Sequence, residues 1–235
     1  MGVDCTLLSD CHGFYPKLEG GDLLIVAGDL TAKDTLECYR KWYQWIGKCK
    51  YKKIIVISGN HDSRIQEKGF PPMPKSFNIE YLCDSGTEFE YEEPVRNLFD
   101  PEDKSLIFKS KLKIWGSPWT LTFEGMNPHC KAFCVDTEEE LAEKWALIPD
   151  HVDILITHSP PFTILDKTID GRQVGSTSLM AEHLARLRPK LWVWGHVHEA
   201  YGESGPYQWN NTKYVNASHV NENYEPVNKP VRILL

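Results

Sequence analysis

The sequence lacks any apolar run that approaches the ~20 residues needed to cross a bilayer. It also lacks a basic N-terminal segment followed by an apolar one, which is the pattern of a secretory signal. These absences argue against a membrane-spanning protein and against a secreted one. We therefore predict a cytoplasmic protein with no membrane partner.

Positive charge is also in short supply. The 26 basic residues are outnumbered by 33 acidic ones, so the formal net charge is −7. A surface that binds nucleic acid needs a stripe of Lys and Arg to neutralise backbone phosphates, and the sequence has no such stripe. Nucleic acid is therefore disfavoured as a partner. A small phosphorylated substrate stays compatible, because bound metal ions would supply local positive charge.

The seven cysteines form no disulfide framework, since their number is odd and their spacing follows no such pattern. Cys130 and Cys134 are four residues apart, but no second pair is present to complete a zinc site. Free thiols in a reducing cytosol are the interpretation that fits this usage.

Internal repeats, low-complexity segments and linkers are missing as well. A chain of 235 residues is long enough to bury one large core. We therefore predict a single domain over residues 1–235.

Short apolar segments alternate with segments of helical periodicity, which indicates the α/β class. Residues 23–27 and 54–57 are apolar on both faces, as buried parallel strands are. Residues 34–47 repeat apolar side chains at helical spacing between those two strands. Farther along, residues 105–108 and 111–115 are predicted to pair as a hairpin.

Five polar motifs each follow an apolar run that is predicted to be a strand. They are Asp10-Cys11-His12, Gly28-Asp29, Gly59-Asn60-His61-Asp62, Thr157-His158 and Gly195-His196-Val197-His198. Taken one at a time, each Asp or Asn has the alternative role of a turn or cap residue, and each His that of an ordinary core residue. Because ligands gather at the carboxyl ends of strands in α/β sheets, we expect the five motifs to converge on one site.

Seven side chains in these motifs offer oxygen or imidazole nitrogen to a metal: Asp10, His12, Asp29, Asn60, His158, His196 and His198. One ion rarely takes seven protein ligands and still leaves a place for substrate, so we predict two divalent ions that share a carboxylate. Two ions ~3.5–4 Å apart promote in-line attack on phosphorus. These donors favour Mn²⁺, with Fe, Zn, Mg and Ni as alternatives.

The motifs Asp-x-His, Gly-Asp, Gly-Asn-His-Asp, Thr-His and Gly-His-x-His, in this order, resemble those of the calcineurin-like metallophosphoesterases over residues 10–198. Further stretches resemble the metallophosphoesterase-domain-containing (MPPED, brain protein 239) branch: Gly116-Ser117-Pro118-Trp119, Thr157-His158-Ser159-Pro160-Pro161, Tyr214-Val215-Asn216-Ala217-Ser218 and Asn228-Lys229-Pro230. The resemblance implies a four-layer α/β/β/α sandwich of two mixed β-sheets flanked by helices.

The resemblance also implies roles for the motif residues. The first metal would be held by Asp10, His12, Asp29 and His198. The second metal would be held by Asp29, Asn60, His158 and His196, with Asp29 bridging the two.

Two further motif residues would act on the substrate without binding metal. His61 would face the phosphate beside Asn60 and donate a proton or hydrogen bond to the leaving oxygen. Asp62 would orient His61 and keep it protonated. Some members of the branch carry glycine in place of the first histidine of the last motif and are weak enzymes. The presence of His196 implies that this chain keeps both metals and its activity.

The reaction that the resemblance implies is phosphohydrolysis through in-line attack of a metal-bridging hydroxide. The expected enzyme is a phosphodiesterase acting on small nucleotides such as 2′,3′- or 3′,5′-cyclic nucleotides. A Ser/Thr-type protein phosphatase is an alternative, disfavoured because residues 30–34 contain no arginine to grip phosphate. A non-catalytic nucleotide-binding scaffold is another, disfavoured because no ligand position is lost. The native metal, the preferred ester and the oligomeric state stay open.

Three loop residues are weaker candidates for substrate contact. Trp119 and Phe162 follow motif ends and could stack on a nucleobase, with simple packing as the alternative. Arg172, in the long loop after His158, could pair with a second phosphate, with a solvated surface position as the alternative.

Overall fold

A computed structural model of the chain describes residues 2–95, 106–123, 130–208 and 210–235. Thirteen strands occur in this part of the chain: β1 (Asp4–Leu8), β2 (Gly21–Ala27), β3 (Tyr51–Ile57), β4 (Ile79–Tyr81), β5 (Ser85–Val95), β6 (Leu106–Ser117), β7 (Thr120–Leu121), β8 (Cys134–Val135), β9 (Ile154–Thr157), β10 (Leu191–Trp194), β11 (Gly202–Ser204), β12 (Lys213–Asn216) and β13 (Val231–Leu234). Its helices are α1 (Leu36–Ile46), α2 (Ser63–Lys68), α3 (Glu138–Trp145) and α4 (Thr177–Ala185).

Both large sheets are mixed, with a parallel centre and an antiparallel strand at one edge or at both. The first has the order β13-β1-β2-β3-β4, and only β13 runs antiparallel to its neighbour. The second has the order β11-β12-β10-β9-β6-β5, with β11 and β5 antiparallel. Strands β7 and β8 pair separately. The predicted mixed sheets are therefore confirmed.

The side chains of β2 alternate between two apolar layers. Leu23 and Ile25 pack against the second sheet, whereas Leu24 and Val26 pack beneath α1 and are equally buried. Trp42 of α1 is completely buried in this outer layer. A strand buried on both faces explains why residues 23–27 are apolar without a polar alternation.

The outer face of the second sheet is covered in the same way by α3 and α4. Leu155, Trp192 and Trp194 of that sheet pack with Trp145 of α3 and Leu179 of α4. The order of layers is helices, sheet, sheet, helices, as the family resemblance implied. Helix α3 begins with a capping box at Thr137, whose hydroxyl accepts from the Glu140 N–H while the Glu140 carboxylate accepts from the Thr137 N–H.

The hairpin expected within residues 105–115 is wrong. Residues 106–117 form one long strand, β6, which pairs with β5 from Ser85↔Gly116 to Val95↔Leu106. Lys109 and Ser110 offer neither Gly nor Pro to turn the chain, so the ladder continues through them. Residue 105 lies outside the described residues.

The structure bears on the state of the cysteines and on whether any helix could cross a membrane. All seven cysteines are free thiols. None of the helices in the described ranges is long and apolar enough to cross a membrane.

Candidate metal centre

The five motifs come together where the parallel strands of both sheets end. Strands β1, β2 and β3 end just before Asp10, Asp29 and Asn60, and parallel pairing puts their carboxyl ends at one edge. Strands β9 and β10 deliver His158 and His196 from the second sheet. The convergence predicted from the motif order is therefore observed for all seven predicted donors.

The backbone turns sharply at several of these residues. Asp10, His12, Asp29 and His196 have φ values of 49°, 41°, 53° and 68°, in the left-handed region that non-glycine residues seldom adopt. Each such residue costs about 1–3 kcal/mol, a strain that concentrates at functional sites. Close packing adds a second constraint, because a Cβ at Gly195 would collide with the side chains of Asp10 and Ser9.

The first donor set consists of Asp10, His12, Asp29 and His198, all of them buried. One donor atom from each residue lies within 4.8 Å of the donor atoms of the other three. The Nε2 atom of His198 is 3.3 Å from His12 Nε2 and 3.3 Å from Asp10 Oδ1, and His12 Nε2 is 3.6 Å from Asp29 Oδ2.

The second donor set consists of Asp29, Asn60, His158 and His196. Asn60 Oδ1 is 3.0 Å from His158 Nε2 and 3.0 Å from His196 Nδ1. His158 Nε2 is in turn 3.4 Å from Asp29 Oδ2. The same oxygen of Asp29 therefore belongs to both donor sets.

Hydrogen bonds on the outside of the site turn lone pairs inward. His158 Nδ1 bonds to the Ala27 carbonyl at 2.9 Å, and His198 Nδ1 bonds to the Asn221 carbonyl at 3.2 Å. The amide nitrogen of Asn60 donates to a backbone carbonyl at 3.2 Å. Because a carbonyl only accepts, the N–H groups of these side chains must donate outward. Their acceptor atoms therefore face the centre of the site.

The inward-facing Nε2 atom of His158 lies 3.0 Å from Asn60 Oδ1 and 3.4 Å from Asp29 Oδ2, so these acceptor atoms attract positive charge, as a proton or as a metal ion. Ligands ~2.0–2.2 Å from a divalent ion lie about 3.0–3.4 Å apart, which matches these separations. Carboxylate, amide oxygen and imidazole also suit borderline divalent metals. The residues present therefore fit divalent ions in chemistry and in spacing.

The carboxylates of Asp10 and Asp29 stay ionised although they are buried. Burial alone would raise the pKa of each, but the hydrogen bond and charge of His198 bring the pKa of Asp10 below its usual range. The charges of His158 and His61 hold the pKa of Asp29 well below its usual range. Two ionised carboxylates in a buried site attract cations.

The imidazoles divide by their environment. Burial lowers the pKa of His12 to about 4 and that of His196 to about 3, which keeps both rings neutral at pH 7. Burial would also lower the pKa of His158, but the charge of Asp29 and its hydrogen bond raise it to about 9. Asp29 thus draws positive charge to this point, as a proton on His158 or as a cation.

His61 lies between the donor sets and open space. Its Nε2 atom is 4.0 Å from Asp29 Oδ2, and its ring is 4.6 Å from that of His12, centroid to centroid. The ring is half-buried and lines a cavity together with Asn60.

We predicted that Asp62 orients His61. Among the hydrogen bonds of the described residues, none joins these two side chains. The Asp62 carboxylate instead accepts from the N–H groups of Gly59, Asp29 and Leu30 at 2.8, 3.0 and 3.2 Å. The Tyr39 hydroxyl donates to it at 3.2 Å. Burial and the nearby charge of Asp29 raise the pKa of Asp62 to about 8. The turn at Gly59 directs this carboxylate inward, where it ties the loops after β2 and β3 together.

A cavity of about 510 Å³ adjoins both donor sets. His61, His196 and His198 lie on one side of it. The remaining wall comes from residues 120–123, Ile169, Val174, Glu199 and residues 222–224. This volume suits a small-molecule ligand.

None of the three weaker candidates is among the described residues that line the cavity. The Trp119 indole N–H donates to Asp84 Oδ2 at 2.7 Å, and the Lys144 ammonium lies 4.0 Å from its ring centroid, so Trp119 packs. Arg172 pairs with Asp170 at 2.7 Å on the surface. Phe162 is half-buried.

Sequence reasoning missed Tyr224 and Asn221. Tyr224 is half-buried beside the cavity, and its ring centroid is 4.8 Å from that of His12 and 5.1 Å from that of His198. The Asn221 carbonyl bonds to His198, as described above. Neither residue follows a predicted strand, so the signal that identified the five motifs is missing for both.

Comparison with known proteins is consistent with this geometry. The model of the calcineurin-like phosphoesterase family matches residues 6–200. Human metallophosphoesterase domain-containing protein 1 is 36% identical over 233 residues, which covers 96% of this chain and 69% of that protein. The UPF0046 protein T07D4.2 of Caenorhabditis elegans is 31% identical over 226 residues, covering 92% of this chain and 54% of that protein.

A solved crystal structure gives an independent comparison of the fold. It matches with a TM-score of 0.59 at 14% sequence identity, covering 92% of this chain and 90% of the other. Taken with the family match over residues 6–200 and the relatives described above, the chain belongs to the calcineurin-like phosphoesterase family, in the branch of the metallophosphoesterase-domain-containing proteins.

Proposed function

We propose that this chain is a two-metal phosphodiesterase that hydrolyses small nucleotides, with cyclic nucleotides as the preferred class. The observation that carries the proposal is the shared position of Asp29 Oδ2, 3.6 Å from His12 Nε2 in one donor set and 3.4 Å from His158 Nε2 in the other. A dinuclear site needs one such bridging carboxylate. Membership of a phosphoesterase family supports the same reaction class.

The first donor set would hold one ion and the second donor set the other, with Asp29 common to both. When bound, the ions would lower the pKa of a water molecule and neutralise charge on the phosphoryl oxygens. Mn²⁺ is the proposed metal, and Fe, Zn, Mg and Ni are the alternatives that the same donors accept.

The chain's own contribution to bond breaking would come from His61. A general acid must lie within hydrogen-bond reach of the leaving oxygen. His61 lines the cavity, is adjacent to Asp29 and belongs to neither donor set. Its Nε2–H would donate to the leaving oxygen, and the amide of Asn60 beside it would help to orient the phosphate.

Asp62 would act as a positioning residue and would not touch the substrate. By accepting from Gly59 N–H and Asp29 N–H it fixes the two loops that carry Asn60, His61 and the bridging carboxylate. Geometry held in this way is what catalysis by proximity requires.

A one-domain organisation over residues 1–235 and a cytoplasmic location belong to the same proposal. Strand β1 pairs with β13 from Asp4↔Leu234 to Leu7↔Val231, so the first and last strands share one sheet. The seven free thiols suit a reducing compartment.

The test is a substrate panel on protein that has been stripped with chelator and reloaded separately with Mn²⁺, Zn²⁺ and Mg²⁺. The panel contains bis(p-nitrophenyl) phosphate, 2′,3′- and 3′,5′-cyclic AMP, and a phosphoserine peptide. We expect the diesters to be hydrolysed with the highest kcat/KM. A higher kcat/KM on the phosphopeptide would favour the protein phosphatase alternative. If fewer than two ions bind per chain at saturation and no substrate is hydrolysed, the result would favour the non-catalytic nucleotide-binding scaffold.

A further inference from the structure

Among the described residues, the charged side chains that line the cavity beyond the donor sets are carboxylates. Glu199 and Glu222 are half-buried and line it, and no Lys or Arg is among the described residues of the lining. Their carboxylates are held in place, since Glu199 Oε1 accepts from the Ile169 N–H at 3.0 Å and Glu222 Oε1 accepts from the Asn223 amide at 3.2 Å. Positive charge at the described lining residues would therefore come from the bound metal ions and from the imidazoles beside them.

Two basic residues lie in the loop between β9 and α4. The Arg172 guanidinium pairs with Asp170 there, and Lys167 is exposed. Neither basic residue lines the cavity. The sequence of residues 124–129, Glu-Gly-Met-Asn-Pro-His, contains no Lys or Arg either.

The rest of the wall combines apolar side chains with Thr120, Thr122, Thr168 and Asn223. Leu121, Phe123, Ile169 and Val174 line it, and Tyr224 adds an aromatic ring. Phe123 and Ile169 are 51% and 78% exposed, so they offer apolar surface that the protein itself leaves uncovered. Binding a planar, uncharged group would bury this surface.

The geometry points to a charge-selective cavity, an inference that rests on the proposed function. The site takes phosphate esters that carry a single phosphate and an uncharged planar substituent, and Glu199 with Glu222 excludes polyphosphates. The first phosphate lies at the metal ions. A second or third phosphate would extend toward two carboxylates and apolar side chains, and the described residues of the lining contain no Lys or Arg to balance its charge.

The test compares thymidine 5′-monophosphate p-nitrophenyl ester with thymidine 5′-triphosphate, at a fixed concentration of free Mn²⁺. Both carry the same nucleoside but have different leaving groups, so the change in the ratio of their kcat/KM values between wild type and variant reports the response to the extra phosphates. We expect a ratio of at least ten in the wild type. The ratio should fall at least fivefold in the double variant Glu199→Gln/Glu222→Gln, where each amide oxygen still accepts the hydrogen bond described above. The single variant Glu222→Gln should give part of that fall.

Glu139→Gln is the matched control, because Glu139 is an exposed carboxylate on α3 that does not line the cavity. Its ratio should stay within twofold of the wild type. An equal or higher kcat/KM on the triphosphate in the wild type, or an unchanged ratio in the double variant, would overturn the inference while leaving the proposed function in place.

Binding measurements distinguish the charge selectivity of the cavity from the proposed hydrolytic function. Calorimetric dissociation constants of thymidine mono- and triphosphate, with Mn²⁺ present, should show the same preference and the same loss in the double variant. If that preference is found but no ester is hydrolysed, the proposed function fails and the charge selectivity stands. If the two nucleotides bind equally, the selectivity fails.

Discussion

The phenol ring of Tyr224 lies edge-on to the imidazole of His12, with centroids 4.8 Å apart and the two planes at 77°. The same phenol meets His198 at 5.1 Å and 88°. Both imidazoles belong to the first donor set, so a residue from a distant loop restrains two of its four members. Edge-to-face pairs of this kind contribute about 0.5–1.5 kcal/mol each.

Removing that ring should weaken the first metal site. We expect Tyr224→Ala to raise the dissociation constant of one of the two Mn²⁺ ions about tenfold, since the two ring contacts that hold His12 and His198 are lost. Tyr224→Phe keeps the ring and should stay within threefold of the wild type. Calorimetric metal titration of the chelator-stripped protein measures both. Wild-type affinity in the alanine variant would show that the ring does not restrain these ligands.

Replacing His61 should separate chemistry from metal binding. We expect His61→Ala to lower kcat on bis(p-nitrophenyl) phosphate by about 10²–10⁴-fold, the usual contribution of a positioned general acid. Metal content should stay that of the wild type, because His61 belongs to neither donor set. Elemental analysis and steady-state kinetics on the same preparation check both parts.

The matched control is His151→Ala, since His151 is exposed and does not line the cavity. It should keep the wild-type rate. A His61→Ala variant that retains the wild-type rate would remove the proposed role of this imidazole, and one that loses metal would make His61 a ligand.

Local signals in the sequence were sufficient for much of the fold and for the donors. Residues 23–27 and 54–57 were predicted as buried parallel strands and lie within β2 and β3, which pair in parallel. Apolar runs that end in polar residues mark the strand ends, and parallel pairing then brings those ends together. For the seven donors, chain order and strand position were enough.

Contacts across long sequence separations were not predictable in this way. Tyr224 reaches the site because the chain after β12 is tied to the end of β1, where the His219 N–H donates to the Ser9 carbonyl at 2.9 Å. The Trp119 indole is oriented by its hydrogen bond to Asp84, 35 positions earlier in the sequence. Nothing in the local pattern around either aromatic residue encodes these partners, since each depends on how separate loops pack.

Asp62 offers a test of the loop anchor that replaces its predicted contact with His61. We expect Asp62→Asn to lower the free energy of unfolding by about 1–3 kcal/mol, because an amide N–H₂ would face N–H donors that an oxygen now satisfies. Urea unfolding of the chelator-stripped protein measures this without a contribution from metal binding. Asp34→Asn is the comparison, since Asp34 also accepts from a backbone N–H, that of Arg64, but is only partly buried, and it should cost less.

His183 predicts how stability depends on pH away from the metal site. It is fully buried, with Nδ1 2.9 Å from the Leu187 carbonyl and Nε2 2.6 Å from the Tyr214 hydroxyl. Burial lowers its pKa to about 4, against 6.5 for an unperturbed histidine. Between these two values the unfolded chain binds the proton that the folded protein excludes. The contribution of a neutral His183 is therefore fully present above pH 6.5 and is lost as the pH falls toward 4.

The loss should approach ~1.4 kcal/mol per pH unit within that window. His183→Gln keeps hydrogen-bonding atoms but cannot titrate, so the difference in unfolding free energy between wild type and variant should shrink as the pH falls from 6.5 to 4.5. Urea unfolding at several pH values on chelator-stripped protein measures that difference, which cancels the titration of the other histidines. If the difference in unfolding free energy between wild type and His183→Gln stays constant over this pH range, His183 takes up its proton in the folded state as readily as in the unfolded chain.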